Sequence, residues 1–305
     1  MSGGGNDYVT PHVALIKDNY NVKYQKYEKT DYTNDYLTIQ ALEDELTVSF
    51  SLNTIQYSTD NCQTWNELPA DTATPAINSG DKISFKATGL TPKLTKGIGT
   101  FTVNKKFNLK GNVMSMLFGD EGKNSFDLTG YYCAFDGLFD RCTTLQSVSK
   151  DFLPATKLDL KCYNGMFNYC ESLATAPELP ATTLALNCYD EMFQNCTSLV
   201  TAPSLPATTL TFSCYYRMFR NCTSLVTAPE LPATTLAEGC YYEMFNDCSS
   251  LNYIKALFTT EPSSTYTSNW VSGVSSTGTF VKSKDATWNV TGVNGIPEGW
   301  TVQTF

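Results

Sequence analysis

The sequence predicts an α+β multi-domain chain: a small β-sandwich-like domain, then a solenoid of 26-residue repeats, then a C-terminal β cap. Three observations carry that prediction. From residue 133 onward the chain repeats itself, and Leu179–Ser204 matches Leu205–Glu230 at 19 of 26 positions. Ahead of the repeats, short alternating stretches between turn residues mark strands. Behind them, large aromatics gather among further turn signals, where a stack of repeats needs its open apolar end covered. A unit of this length cannot bury its apolar side alone. Copies therefore stack and share a core, which gives a long regular surface rather than a catalytic pocket.

The unit reads L-P-A-T-T-L-x-x-x-C-Y-x-x-M-F-x-N-C-T-S-L-V-T-A-P-x, with landmarks at Cys162, Cys188, Cys214 and Cys240 and at Cys170, Cys196, Cys222 and Cys248. A looser copy carries Cys133, Phe139 and Cys142, and an eroding one ends at Leu251-Asn-Tyr-Ile, making five units. Leu184, Cys188, Met192 and Cys196 are four apart, with Tyr189 and Phe193 beside them, which predicts a helix with one broad inward face. Leu199 and its β-branched neighbour suit a short strand that Pro203 ends. One strand and one short helix per unit is the leucine-rich-repeat plan.

The segments M-F-Q-N-C-T-S-L and M-F-R-N-C-T-S-L resemble the A-F-x-x-C-x-S-L signature of the BspA-like leucine-rich repeats, over roughly residues 130–257. The element L-P-A-T-T-L departs from the longer strand-like stretch of many members, which leaves the curvature of the stack open. What the resemblance implies is binding, commonly attachment to host surfaces or matrix, and not catalysis.

Four segments follow. Residues 1–35 read as an extended N-terminal arm or a plain flexible terminus, Gly-rich and then rich in Tyr, Asn, Asp and Lys around Val13-Ala-Leu-Ile16. Residues 36–128 read as the β domain, with strands at Leu37-Thr-Ile-Gln, Leu46-Thr-Val-Ser-Phe, Thr54-Ile-Gln-Tyr, Lys82-Ile-Ser-Phe-Lys-Ala and Gly99-Thr-Phe-Thr-Val. Within it, Ser58-Thr-Asp-Asn-Cys-Gln-Thr-Trp65 resembles the Asp-box of sialidases and other β proteins, S-x-D-x-G-x-T-W, with Cys62 where the motif has Gly. That resemblance implies a hairpin turn and no chemistry. Residues 129–257 are the leucine-rich-repeat solenoid. Residues 258–305 are the β cap, where Trp270, Phe280, Trp288 and Trp300 serve as core or, on the sharper alternative, as a platform for sugar rings.

Composition excludes several classes. A net charge of −9 and only diluted basic clusters (Lys23, Lys26 and Lys29; Lys105 and Lys106) argue against nucleic acid. No apolar run is long enough for membrane insertion. Cys188 and Cys196 on one helix would lie about 12 Å apart, beyond the roughly 7 Å reach of a disulfide. The eleven cysteines therefore read as buried free thiols, and no short C-x2–4-C pair offers zinc a site. His12 is the sole histidine and stands in the arm, which removes triads that need it as a base. Gly97-Ile-Gly-Thr lacks the third Gly and the Lys of a phosphate loop, and no pair of carboxylates stands out for glycoside hydrolysis. No enzyme, cofactor or metal is expected.

The slots at which copies differ are the guide to function: Asp190/Tyr216/Tyr242, Glu191/Arg217/Glu243 and Gln194/Arg220/Asn246. Side chains serving a shared core agree between copies, so these point outward. Tyr216, Arg217, Arg220, Tyr242 and Glu243, with Trp270 from the cap, form the expected ligand face, suited to a glycan or a protein. The start M-S-G-G-G-N-D-Y-V-T lacks a basic head and an apolar stretch, so ordinary export is not expected. Together these predict a non-enzymatic, virion-associated adhesion or decoration protein of a bacteriophage, assembled in the host cytoplasm. Its arm would hold a virion structural protein and its repeats would meet bacterial surface polysaccharide or protein. The alternatives are a BspA-like adhesin on the bacterial cell surface with its leader removed, and a purely structural capsid or tail component.

Overall fold

The computed structural model describes residues 36–92 and 97–305, with the backbone of one strand pair nearer the N-terminus. The chain divides into two units, Met1–Asn34 and Asp35–Phe305. In the first, β1 (Leu15–Asp18) pairs antiparallel with β2 (Asn21–Tyr24). The rest of the expected arm, with His12, lies outside the described residues.

The second unit is mostly β, with several sheets and, among the described residues, one short α-helix. Its first strands are β3 (Leu37–Ala41), β4 (Val48–Phe50), β5 (Ile55–Ser58), β6 (Asn66–Leu68), β7 (Lys82–Lys86), β8 (Phe101–Val103) and β9 (Phe107–Lys110). Alternation places them: Leu37, Ile39 and Ala41 of β3 are fully buried, while Thr38 and Gln40 between them are not. A four-residue helix, α1 (Ser115–Phe118), follows, and then β10 (Leu145–Val148). One sheet has the order β10-β9-β3-β7-β5-β6, and β4 pairs with β8 beside it. Phe101 joins the two, its ring 4.7 Å from Phe50 and 5.1 Å from Phe85. The strand β10 belongs to the first repeat and runs parallel to β9, so the sheet carries directly into the repeats.

The repeats do not contain the expected helices. From Asn187 to Cys196 the backbone N–H groups alternate between two destinations. Those of Asn187, Tyr189, Glu191, Phe193 and Asn195 reach the next unit, at the carbonyls of Phe212, Cys214, Tyr216, Met218 and Arg220. Those of Cys188, Asp190, Met192, Gln194 and Cys196 close tight turns three residues back, at Ala185, Asn187, Tyr189, Glu191 and Phe193. An α-helix would send all of them four residues back along its own axis.

A left-handed residue stands at every fourth position. Asn187, Glu191 and Asn195 have φ of 54°, 54° and 61°, and Ser213, Arg217 and Asn221 and then Gly239, Glu243 and Asp247 repeat the pattern. Each such residue breaks the right-handed run and turns its N–H toward the neighbouring unit. The inward set is nevertheless the expected one: Leu184, Cys188, Tyr189, Met192, Phe193 and Cys196 are all buried. A period of four and a period of 3.6 select nearly the same residues over so short a stretch. The predicted strand at T-S-L-V-T-A-P shrinks in the middle units to single parallel bridges, Thr175 with Thr201 and Thr227 with Tyr253.

Unit on unit, the buried aromatics stack. Phe139, Phe167, Phe193, Phe219 and Phe245 form one file with centroids 5.6–5.9 Å apart, and Phe101 of β8 lies 5.2 Å from its first ring. Tyr163, Tyr189, Tyr215 and Tyr241 form a second at 5.9–6.2 Å. Beside them Cys170, Cys196, Cys222 and Cys248 each donate Sγ–H to a phenylalanine carbonyl of the unit before, at 2.9–3.3 Å.

The pattern continues past its expected end. Tyr241, Glu243, Phe245 and Asp247 donate to the carbonyls of Tyr266, Ser268, Trp270 and Ser272, and Asn269 and Gly273 again have positive φ. The strands β11 (Tyr253–Ala256), β12 (Thr279–Lys282) and β13 (Thr301–Thr304) pair in parallel and in order. Residues 261–282 thus extend the same ladder with its C-Y-x-x-M-F landmarks replaced.

Replacing Phe219 by Ala removes an interior ring of the file, stacked between Phe193 and Phe245. We expect a loss of roughly 3–5 kcal/mol in denaturant unfolding of the whole chain, against well under half of that for Tyr216→Ala; equal small losses would contradict this packing.

Candidate binding face

Positions that follow the Cys-Tyr and Met-Phe landmarks share one side of the repeats. Five of the six residues expected on the ligand face meet there. Tyr216 and Tyr242, one unit apart, stack with centroids 4.5 Å apart and planes within 4°. The Arg217 guanidinium lies over both, 4.8 Å and 5.6 Å from the ring centres. Its Nε donates to Glu243 Oε2 at 2.8 Å and its Nη1 to Glu191 Oε1 at 3.4 Å, so three successive units are tied by one Glu–Arg–Glu file. Arg220 adds a contact to Glu243 at 3.5 Å and donates to Asn246 Oδ1 at 3.3 Å.

This cluster is largely self-satisfied. Two of the four ring faces of the tyrosine pair are turned on each other, and the Arg217 and Glu243 side chains are only 27% and 13% exposed. What the cluster offers a ligand is ring edges, the outer parts of Arg217 and Arg220, and the row of units as a whole.

Trp270 is not on this face. It is fully buried, 6.1 Å from Tyr241 and 6.3 Å from Phe245, and so closes both aromatic files at once. Its Nε1 donates to the Gly295 carbonyl at 2.9 Å. The reason is positional: Phe245 donates to the Trp270 carbonyl as Phe219 does to that of Met244, so Trp270 occupies a methionine slot of the core. Phe280, Trp288 and Trp300 are buried too, leaving no exposed aromatic platform among them.

Asp60 organises the hairpin between β5 and β6. Its Oδ1 accepts from the backbone N–H groups of Gln63 and Thr64 at 3.0 Å and from Ser58 Oγ at 2.7 Å, and Thr64 Oγ1 donates to Oδ2. The Thr64 and Ser58 hydrogen bonds hold its carboxyl well below the usual range. Cys62, in the glycine slot of the motif, has φ 65°. The Trp65 ring packs on Tyr36 and under Lys86. The side chains of Ser58, Asp60 and Thr64 hold the turn.

Burial governs the thiols. Ten of the eleven cysteines are buried, and desolvation pushes Cys142, Cys162, Cys214, Cys240 and Cys248 up to about 12, which leaves them inert as nucleophiles. Among the described residues no group of His, Cys, Asp and Glu is placed to hold a metal ion, and no helix is long and apolar enough to cross a membrane. Sequence reasoning missed two exposed apolar pairs, Leu186 with Phe212 and Val200 with Val226, each in matching slots of adjacent units. Their signal was present, since those slots hold apolar residues that the shared core does not use.

Comparison of the chain with known protein families, with characterised proteins and with solved structures finds no match.

Arg217→Ala should cost about 1–2 kcal/mol, the sum of two partly exposed ion pairs. Urea unfolding at low and at molar salt checks it: the gap between wild type and variant narrows as salt screens the pairs, and a gap unchanged by salt would assign the loss to packing alone.

Proposed function

We propose that this is a non-enzymatic adhesion or decoration protein, virion-associated, whose repeats form a leucine-rich-repeat solenoid of BspA-like type and present one face to a bacterial surface polysaccharide or protein. The observation that carries the reading is the register of that face: tyrosine on tyrosine and arginine between glutamates, in successive units bonded each to the next. A surface that repeats with the backbone suits a ligand that is itself extended or repetitive. The resemblance of M-F-x-N-C-T-S-L to the family signature supports the same reading.

The mutual satisfaction of Arg217 and Glu243 favours a second reading, a purely structural capsid or tail component in which the face stabilises the stack and meets no receptor. Cosedimentation of the purified chain with intact host cells and with their isolated polysaccharide separates the two. Binding that drops on Tyr242→Ala or Arg220→Ala supports adhesion at this face; no binding to cells or polysaccharide supports the structural reading. Mass spectrometry of purified virus particles and of the host envelope then assigns its place. Peptides in the particles support the virion, whereas peptides confined to the envelope would make it a cell-surface adhesin.

A further inference from the structure

On the same side of the repeats, in the units preceding the Tyr–Arg cluster, two columns of side chains consist only of carboxylic acids and amides. One runs Asp136, Asn164, Asp190; the other runs Asp140, Asn168, Gln194. The position that follows the first column carries no side chain in two of the three units, where Gly137 and Gly165 take positive φ. An added Cβ would meet nothing nearer than Asp140 Cβ at 3.7 Å and Asn168 Cβ at 3.9 Å. In the third unit Glu191 stands there, directed to Arg217.

Hydrogen-bond supply is short in these columns. Amides donate and accept, whereas ionised carboxylates only accept. Asn164 Nδ2 donates to Asp136 Oδ1 at 2.8 Å and Asn187 Nδ2 to Asp190 Oδ2 at 3.0 Å, and the Asn168 side chain bonds the Asp140 carboxyl. Three oxygens are left shielded from solvent with no donor: Asp140 Oδ1, Asp190 Oδ1 and Gln194 Oε1. Cations do not fill the gap. Arg141 pairs with Asp140 Oδ2 at 3.6 Å from an exposed position, Arg217 is already engaged by Glu243 and Glu191, and Lys161 acts on Asp136 and Asp190 only through space. Glu191 adds negative charge facing all three acids. A proton on an aspartate would turn an acceptor without a donor into a donor, with the shape of the asparagine that holds the same slot one unit away.

We propose that the Asp136–Asp140–Asp190 row is a proton-responsive element: the repeats take up protons there as they fold, and this face is firmer in mildly acidic than in alkaline medium. The inference is independent of what the face binds. Burial, the leading cause, raises all three carboxyls, that of Asp190 to about 7. An acid raised in the folded state, from about 4 when unfolded, contributes stability that is complete below the unfolded value and is lost as pH rises through the folded one. For Asp190 the window runs from about 4 to about 7.

The test is denaturant unfolding of the full chain from about pH 5 to about pH 8, with Asp190→Asn and the triple variant D136N/D140N/D190N beside it. The wild-type folding constant should fall as pH rises, by up to about tenfold per pH unit for each proton involved, and the triple variant should flatten the profile. Carbon NMR of the wild-type Asp190 carboxyl should give a midpoint near 7, a readout that needs no variant to fold. Parallel profiles for wild type and variants, or an Asp190 midpoint near 4, the ordinary carboxyl value, would overturn the proposal.

Discussion

The alternation of backbone N–H groups in the repeats is the constraint on which the rest of this structure depends. A left-handed residue stands at every fourth position and sends its own N–H to the neighbouring unit, while the N–H that follows it closes a turn three residues back. Neither destination suffices alone. The turns lack the long run of bonds that sustains a helix, and the bonds between units require a neighbour whose turns lie in register. With both in place, phenylalanine stacks on phenylalanine and tyrosine on tyrosine from unit to unit. Several left-handed positions hold residues that resist that conformation, among them Lys161, Glu191 and Arg217. The packed core over-determines their backbone.

Surface chemistry inherits this order. Because units are in register, a side chain's nearest neighbours are its counterparts one unit away, so charge is settled along columns. Where opposite charges alternate, as in Glu191, Arg217 and Glu243, the column holds itself together. Where acids and amides alternate, as in Asp136, Asn164 and Asp190, it lacks donors and becomes sensitive to protons. One backbone rule thus gives both a stabilising file and a titrating one.

How much of this could be read from the sequence varies with the kind of signal. The inward set was legible because Cys188, Met192 and Cys196 repeat with the copies and apolar repetition means core. Their conformation was not. Steps of four match a helix in the inward residues they select but drift about 40° per step on an ideal one, and only the recurrence of Asn at 187, 195 and 221 hints at left-handed backbone. Trp270 illustrates a different gap. Its ladder position is set by a hydrogen bond from Phe245, while its sequence context keeps none of the C-Y-x-x-M-F landmarks, so the sequence left it open between the core of the cap and the ligand face. The Asp60 hairpin was legible through its turn chemistry, even with Cys62 in the glycine slot. The meeting of Tyr216, Arg217 and Glu243 was legible from the variable slots, but not that these residues would satisfy one another.

The most direct test of the account is the backbone angle φ at Glu191, Arg217 and Glu243, measured by NMR couplings or in a high-resolution experimental structure. Positive φ is expected at all three, with turns closing three residues back on either side. Negative, helical φ running unbroken from Leu184 to Cys196 would contradict it and restore a helix to each repeat.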